Sequence, residues 1–439
     1  MKLVPQSKLV RQLSLPAFVA LLVVAWSLGG FAWWPRQKTW QALERRDYLA
    51  AKVWVQRAAQ LEPQSAKTEW LFARVERKLG NADETLRHLR TARQLGGESE
   101  LVRREELLLQ AQTGVLENIL RDLDKLLIDH SEDGAEICEA YVNGLLINGQ
   151  VDAAAAIMQQ WQQAFPNDPQ TDYLFGRLAE FKRRTKEAER HFRAALAKAP
   201  LHAPSLFALG RTQIQANLWN EALATYQQCA NSGHLGPAQL GIAQCLKQLG
   251  REAEALALLQ QAAAIPQQKF LEAQRQLGES VEYDTLHLEL GIVEAALGHT
   301  DAAVAALEKA VAYNSKHRQA RYQLAQALKA VGRSEEAKIH FEWYLAMEKK
   351  IDERDRQHDV VERAPKDLDA RCRLGALYLE TDSEKVGLFW LRGVLAEDPQ
   401  HRETHEVLAN FYEANAANDP SAIAVSRHHR QLAQPKATN

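Results

Sequence analysis

Two arginines, Arg177 and Arg211, occupy equivalent positions in consecutive copies of a repeated pattern. A guanidinium group presents a fork of N–H donors that fits a carboxylate bidentately. Two such groups on one surface would therefore grip a carboxylate or an acidic side chain. Tyr173 and Phe207 lie beside them in the sequence pattern and would hold an apolar side chain. The alternative is that the two rings pack between helices and that both arginines are solvated.

These four residues belong to a larger set that is expected to face one groove, formed by the first helix of each repeat. The predicted groove positions are Asn143, Tyr173, Arg177, Phe207, Arg211, Leu240 and Gln244. If this hypothesis is right, replacing Arg177 and Arg211 by Glu abolishes partner binding without unfolding the chain.

No motif in the sequence indicates catalysis. There is no Gly-rich phosphate loop, no H-E-x-x-H and no G-x-S-x-G, and the 14 histidines lack ligand spacing. We therefore expect no enzyme, no cofactor and no metal site. The alternative is a site that is assembled only in space, which a sequence does not reveal.

The composition indicates an all-α chain without a nucleic-acid partner. The 439 residues carry 54 Lys and Arg against 56 Asp and Glu, a net charge of -2, where a dedicated nucleic-acid binder usually carries a basic excess. Helix-forming residues dominate, and no run of alternating β-branched residues predicts a strand.

The four cysteines have no C-x-x-C spacing, so zinc-ribbon, thioredoxin and haem-attachment motifs are absent. They are expected to be small buried core residues. A disulfide between Cys229 and Cys245 in an oxidising compartment is the alternative.

A helix–turn–helix pattern recurs along the chain with a small–large–small second helix. Ala188, Phe192 and Ala195 of one copy return as Ala222, Tyr226 and Cys229 in the next. Glycines such as Gly176 stand where two helices must approach closely, and prolines such as Pro200 end a copy. Further copies show Ala255–Leu259–Ala262, Ala303–Leu307–Ala310, Ala337–Phe341, and Gly387–Leu391.

In these residues the chain resembles the tetratricopeptide repeat family, over about residues 39 to 430. The resemblance implies a right-handed superhelix of antiparallel helix pairs, an α-solenoid, with a concave groove that binds proteins or peptides. It implies no catalysis and no small-molecule substrate. Each helix pair cannot bury its apolar face alone, so neighbouring pairs must stack and share one core.

The repeats divide the chain into segments. We expect repeats over 39–265, an inserted helix over 266–283, repeats over 284–346, a charged exposed helical extension over 347–367, C-terminal repeats and a cap over 368–432, and a disordered tail over 433–439. In the last copy His428, His429 and Arg430 are interpreted as a polar cap. A metal or anionic-ligand site is the alternative there.

The N-terminus carries a basic tail, 1–14, and an apolar stretch, 15–34, without charge between Arg11 and Arg36. A helix of that length spans about 30 Å, the thickness of the bilayer core. We expect an uncleaved transmembrane signal anchor; a cleaved signal or a buried soluble helix are the alternatives. The expected localisation is a single-pass membrane protein with its repeats outside the cytoplasm, in the periplasm.

The predicted function is a membrane-anchored repeat scaffold that binds a protein or peptide partner and supports assembly of envelope complexes. The alternative is a regulatory adaptor on the cytoplasmic face for a membrane or envelope-biosynthesis enzyme. An accessory subunit of an envelope maturation system is a third class.

Overall fold

The computed structural model describes residues 30–117, 119–129, 133–278, 283–381, 384–416 and 422–434. Within these ranges all regular structure is helical and no strand occurs, so the prediction of an all-α repeat solenoid is confirmed. The chain divides into two compact units, Met1–Leu109 and Gln110–Asn439.

The helices succeed one another with short turns. In the first unit they are α1 Gly30–Glu44, α2 Tyr48–Leu61, α3 Ala66–Lys78 and α4 Ala82–Gln94, and α5 Ser99–Gln112 runs across the division. In the second unit they are α6 Leu120–Asp129, α7 Gly134–Ile147, α8 Val151–Ala164, α9 Pro169–Phe181, α10 Thr185–Lys198, α11 Ala203–Gln215, α12 Trp219–Asn231, α13 Leu235–Gln248, α14 Glu252–Ala263, α15 Gln267–Gln276, α16 Tyr283–Ala296, α17 Thr300–Tyr313, α18 Arg318–Ala330, α19 Ser334–Arg363, α20 Leu368–Thr381, α21 Glu384–Glu397, α22 Arg402–Asn415 and α23 Ala422–Leu432.

The small–large–small residues form the core of each helix pair. Ala188, Phe192 and Ala195 of α10 are fully buried. Phe192 lies on Gly176 of α9, where an added Cβ would stand 2.4 Å from the Phe192 ring. A side chain at this position would hold the two helices apart, so the pair needs glycine there. The same arrangement recurs in three other helix pairs, where Tyr226 lies on Gly210, Leu307 on Gly291 and Leu391 on Gly375.

The turns inside the pairs share one hydrogen-bonding pattern. After α13, Gly250 adopts a φ of +73° and the N–H of Arg251 donates to the carbonyl of Leu246 at 2.9 Å. This arrangement closes a helix C-terminus with one left-handed residue. Arg183 and Asn217 take the same left-handed conformation in two other turns. The turn therefore persists in copies that lack glycine, at a cost of about 1 kcal/mol each.

The second unit contacts itself over a long sequence distance. Gly149, in the turn between α7 and α8, packs against the backbone of Gly393 in α21. Phe181 at the end of α9 packs edge to face on Phe389, with ring centroids 4.6 Å apart. We call this the closing contact. It joins the start of this unit's repeats to a helix near their end.

Residues 347–363 of the charged segment, which was expected to be an exposed helical extension, form the second half of a longer helix. Helix α19 runs unbroken from Ser334 to Arg363 and buries Met347 and Val361. Gln357 donates to the carbonyl of Ala370 at 3.1 Å, so this half of the helix packs on α20. Phe341, expected in the core by its repeat position, lies in the first half of α19 and is 43% exposed.

The cysteines are free and buried. Burial raises the pKa of Cys138 to about 11 and of Cys229 and Cys245 to about 12. The thiols are therefore small, unreactive core groups at neutral pH.

The N-terminal prediction needs correction. Residues 15–29 of the expected anchor lie outside the described residues, and in the described part of the chain no helix is both long and apolar enough to cross a bilayer. This finding overturns the predicted localisation as a single-pass membrane protein. The end of the expected span instead begins α1: Ala32 is buried, and Trp34 packs edge to face on Trp54 of α2 with centroids 4.9 Å apart.

The last helix pair contains the expected cap residues. His429 of α23 meets His405 of α22 with 2.8 Å between their Nδ1 atoms, and Arg430 pairs with Glu413. These contacts attach α23 to α22. No group of three or more His, Cys, Asp and Glu side chains in the described ranges is arranged to hold a metal ion.

Candidate functional site

The predicted groove positions lie on the first helices of four successive pairs, α7, α9, α11 and α13. Their side chains fall into two groups. Arg211 and Gln244 make polar contacts with neighbouring helices, and Tyr173 and Arg177 with the residues after α15, whereas Phe207 and Leu240 pack among apolar neighbours. Asn143 is half-buried on α7.

Arg177 and Arg211 are brought together by a carboxylate that the sequence analysis did not single out. Glu180 Oε2 lies 3.2 Å from Nε of Arg177 and 2.7 Å from Nη2 of Arg211. A second bond from Arg211 Nη2 to Glu180 Oε1 measures 2.9 Å. The two guanidinium groups therefore do converge, but on an internal acid. We call these three residues the arginine cluster.

The arginine cluster is half-exposed and carries one net positive charge. The side chains of Arg177 and Arg211 retain 32% and 28% of their exposure, and that of Glu180 retains 16%. A carboxylate arriving from solvent would meet two cations that share one anion. A partner carboxylate can therefore form an ion pair with one of these arginines in place of part of their pairing with Glu180.

The inserted segment lies against the same helix. Helix α15 ends at Gln276, and the carbonyls of the next two residues accept hydrogen bonds from α9. Tyr173 Oη donates to Leu277 at 3.2 Å, and Arg177 Nη1 donates to Gly278 at 2.7 Å. Tyr173 is thereby buried, with 4% of its surface exposed. Residues 279–282 lie outside the described part of the chain.

Phe207 and Leu240 are placed by packing. The Phe207 ring packs edge to face on Tyr226 with centroids 5.2 Å apart. Leu240 is 6% exposed in the core that includes Tyr226. At Phe207 the structure agrees with packing between helices, the alternative that the sequence left open for the two rings. Leu240 was expected in the groove and is instead part of the core.

A second polar cluster follows on the next pairs. Gln244 Nε2 donates to Glu289 Oε1 at 3.1 Å, and Lys247 Nζ lies 2.5 Å from Glu289 Oε2. Lys247 and Glu289 were not among the predicted positions. Lys247 follows Gln244 by three residues, a spacing that places both on one face of a helix, so the spacing alone could have indicated a shared face. Glu180 follows Arg177 at the same spacing.

The comparisons with known proteins agree with the repeat pattern. A family model described as a tetratricopeptide repeat matches residues 173–233 and 288–348. The prediction of tetratricopeptide repeats is therefore confirmed for these two segments. These segments include Tyr173, Arg177, Phe207 and Arg211. No curated protein has a significantly similar sequence.

Several solved structures are similar over parts of the chain. A thermophilic tetratricopeptide repeat protein of Thermus thermophilus is 25% identical, covering 48% of this chain and 99% of that one with a TM-score of 0.31. YrrB, described as having an unusual peptide-binding site, is 20% identical over 49% of this chain and 96% of that one, with a TM-score of 0.28. The human IFIT1 dimer with m7Gppp-AAAA is 17% identical over 84% and 91%, with a TM-score of 0.42.

Proposed function

We propose that this tetratricopeptide repeat protein is a scaffold that binds a protein or peptide segment in the groove formed by α7, α9, α11 and α13. The match of residues 173–233 and 288–348 to tetratricopeptide repeats supports this proposal, because the resemblance to that family implies binding of proteins or peptides. Of the predicted positions, Tyr173 and Leu240 are buried, so the proposed lining is Asn143, Arg177, Phe207, Arg211 and Gln244.

The observation that carries this proposal is the arginine cluster. Arg177 and Arg211 come from different repeats, yet both contact Glu180. Buried or half-buried arginines converge on one carboxylate where an acidic group is to be held in a defined orientation. The partner segment is therefore acidic, and its carboxylate joins or replaces that of Glu180.

The apolar part of the segment is proposed to lie beside Phe207, the one predicted aromatic position that is not fully buried. Gln244 supplies an amide for main-chain recognition one repeat further on. An extended segment that crosses these pairs would meet a cation, an apolar ring and an amide in that order.

A groove that holds an acidic segment suits a protein that brings the components of a larger assembly together, and envelope complexes are the class that we propose. The alternative is an adaptor that regulates an envelope-biosynthesis enzyme. The two differ in whether the bound protein is a structural component or an enzyme.

The test uses the full chain and synthetic peptides. An immobilised set of random peptides graded from strongly acidic to strongly basic is probed with the protein and with the double variant Arg177→Glu and Arg211→Glu. We expect binding to acidic peptides in the unaltered protein and its loss in the variant. Arg193→Glu is the control, because Arg193 is an exposed arginine of α10 that pairs with Glu189.

The expected outcome requires that the helical content and melting temperature of the double variant match those of the Arg193→Glu control. Equal binding of acidic peptides by all three proteins would disprove the groove assignment. If acidic peptides bind as expected, proteins captured from a lysate by the unaltered protein and not by the double variant are the candidate partners, and envelope proteins are expected among them.

A further inference from the structure

A cavity of about 770 Å³ lies at the closing contact, away from the groove residues. Its walls come from the start of α8, the end of α9, the later parts of α19 and α21, and the first turn of α20. Volumes between roughly 300 and 1,000 Å³ are those of small-molecule and side-chain pockets. None of the predicted groove positions lines it. We call it the aromatic cavity.

The apolar wall of the aromatic cavity is made of three rings. Phe181 packs on Phe389 and on Trp390, with centroid separations of 4.6 and 5.7 Å. All three are only partly buried. Rings in this tilted arrangement leave edges and faces on which a further aromatic group can pack.

Two side chains that line this cavity carry buried N–H groups without hydrogen-bond partners among the described residues. They are the indole Nε1 of Trp390 and the Nε of Arg371. Arg371 uses Nη1 on Glu397 at 2.5 Å, which holds the guanidinium in place and leaves Nε without an acceptor. Burying an N–H donor without an acceptor is unfavourable. A ligand oxygen that accepts a hydrogen bond from one of these nitrogens therefore gains more binding free energy than it would from a donor already bonded to water.

His358 adds a third polar group to the wall. Its Nδ1 lies 3.5 Å from Glu362 Oε1, outside hydrogen-bond geometry. Burial, together with the charge of Arg183, lowers the pKa of His358, so the ring is neutral at pH 7. His358 therefore adds a polar group to the wall but no second positive charge beside Arg371.

The rim is balanced in charge. Lys182 and Arg184 stand on the turn between α9 and α10, and Asp152 and Glu362 lie on α8 and α19. With two cations and two carboxylates, the rim does not select a strongly charged ligand. Selectivity therefore comes from the rings and the N–H donors.

We propose that the aromatic cavity binds an aromatic ring that carries an adjacent carbonyl oxygen. The ring packs against Phe181, Phe389 and Trp390, and the oxygen accepts hydrogen bonds from Trp390 Nε1 and Arg371 Nε. This chemistry is shared by small aromatic carbonyl compounds and by an aromatic residue of a peptide, whose own main chain supplies the oxygen. The site is independent of the groove.

The test measures binding to the full chain by calorimetry. The probes are N-acetylphenylalanine amide, a ten-residue Gly-Ser peptide with one central Phe, and ethylbenzene, which has the ring and no oxygen. We expect saturable binding of both carbonyl probes and binding of ethylbenzene at least tenfold weaker. A peptide affinity at least tenfold above that of the amide identifies a polypeptide source, whereas equal affinities identify a small molecule.

Matched variants assign the site. Trp390→Phe keeps a ring and removes the N–H, and we expect about tenfold weaker binding of the amide probe. Trp343→Phe, on α19 outside the cavity lining, should bind as the unaltered protein does. The Arg177→Glu and Arg211→Glu variant should also bind the amide normally, which separates this site from the groove.

Three results would overturn the proposal. They are the absence of saturable binding of either carbonyl probe, equal affinity for ethylbenzene, and equal effects of Trp390→Phe and Trp343→Phe.

Discussion

Gly149 and Gly393 pack backbone against backbone: a Cβ on Gly149 would stand 2.6 Å from Cα of Gly393. Gly149 also adopts a φ of +70°, in the left-handed region. Both the conformation and the space therefore require glycine at this turn.

Gly149→Ala should destabilise the second unit more than a turn substitution elsewhere. We expect a loss of about 2–5 kcal/mol in the free energy of unfolding, from the left-handed backbone and the clash with Gly393. Gly250→Ala is the control, because Gly250 has the same φ sign and no atom within 4 Å of an added Cβ. It should cost only about 1–2 kcal/mol. Urea unfolding measures both, and equal losses would contradict the packing role of the closing contact.

Gly176→Ala tests the close approach of α9 and α10. The added Cβ would stand 2.4 Å from the Phe192 ring. We expect a net loss of about 1–3 kcal/mol, even though alanine favours a helix. The double variant with Phe192→Leu should recover part of it, since the smaller side chain makes room. A loss that is the same with and without Phe192→Leu would show that the two sites are not coupled.

Glu180→Gln should strengthen binding of an acidic peptide. The substitution removes the carboxylate that Arg177 and Arg211 share, and an external carboxylate then meets no internal competitor. We expect affinity to rise about fivefold at low salt and less at high salt. Glu189→Gln, which removes a comparable ion pair with Arg193 on α10, should leave affinity unchanged. Weaker binding of the Glu180→Gln variant would mean that Glu180 orients the arginines rather than competing.

The terminal pair should loosen in acid. Burial, with the nearby charges of His405, His428 and Arg392, lowers the pKa of His429 to about 4 from its ordinary value of 6.5. The unfolded chain therefore binds more protons between these values, so stability that is full above pH 6.5 is lost as the pH falls toward 4. Hydrogen exchange of α23 at neutral pH and at about pH 5 measures the effect.

The control for this pH dependence is His429→Asn, which removes the titrating ring and can still donate to His405. The difference in exchange of α23 between the two pH values should shrink in this variant. An unchanged difference would assign the loosening to other groups.

The local features of the fold could be predicted and the long-range ones could not. The spacing of Ala188, Phe192 and Ala195 fixes one face of a helix, and Gly176 marks its partner, because helical periodicity is written in neighbouring residues. The closing contact is different. Nothing near Gly149 or Gly393 in the sequence indicates that they meet, since the contact arises from the accumulated rotation of many stacked pairs.

The residues of the candidate site were likewise only partly predictable from the sequence. The equivalent positions of Arg177 and Arg211 predicted that they share a surface, but the residue between them, Glu180, emerged only from the structure. Leu240 was assigned to the groove from its helix position and is buried. A repeat alignment identifies the face of a helix, and small rotations of each pair decide which side of that face reaches solvent.

The closing contact also changes how this unit should gain and lose its structure. In an open stack each pair touches only its neighbours, so melting begins at an end and proceeds one pair at a time. Because Gly149 and Gly393 hold the start of this stretch against its end, no intermediate pair opens without straining that junction. The stretch should therefore melt as one cooperative block, and its folding should be slowed by the long loop that must close before this contact forms.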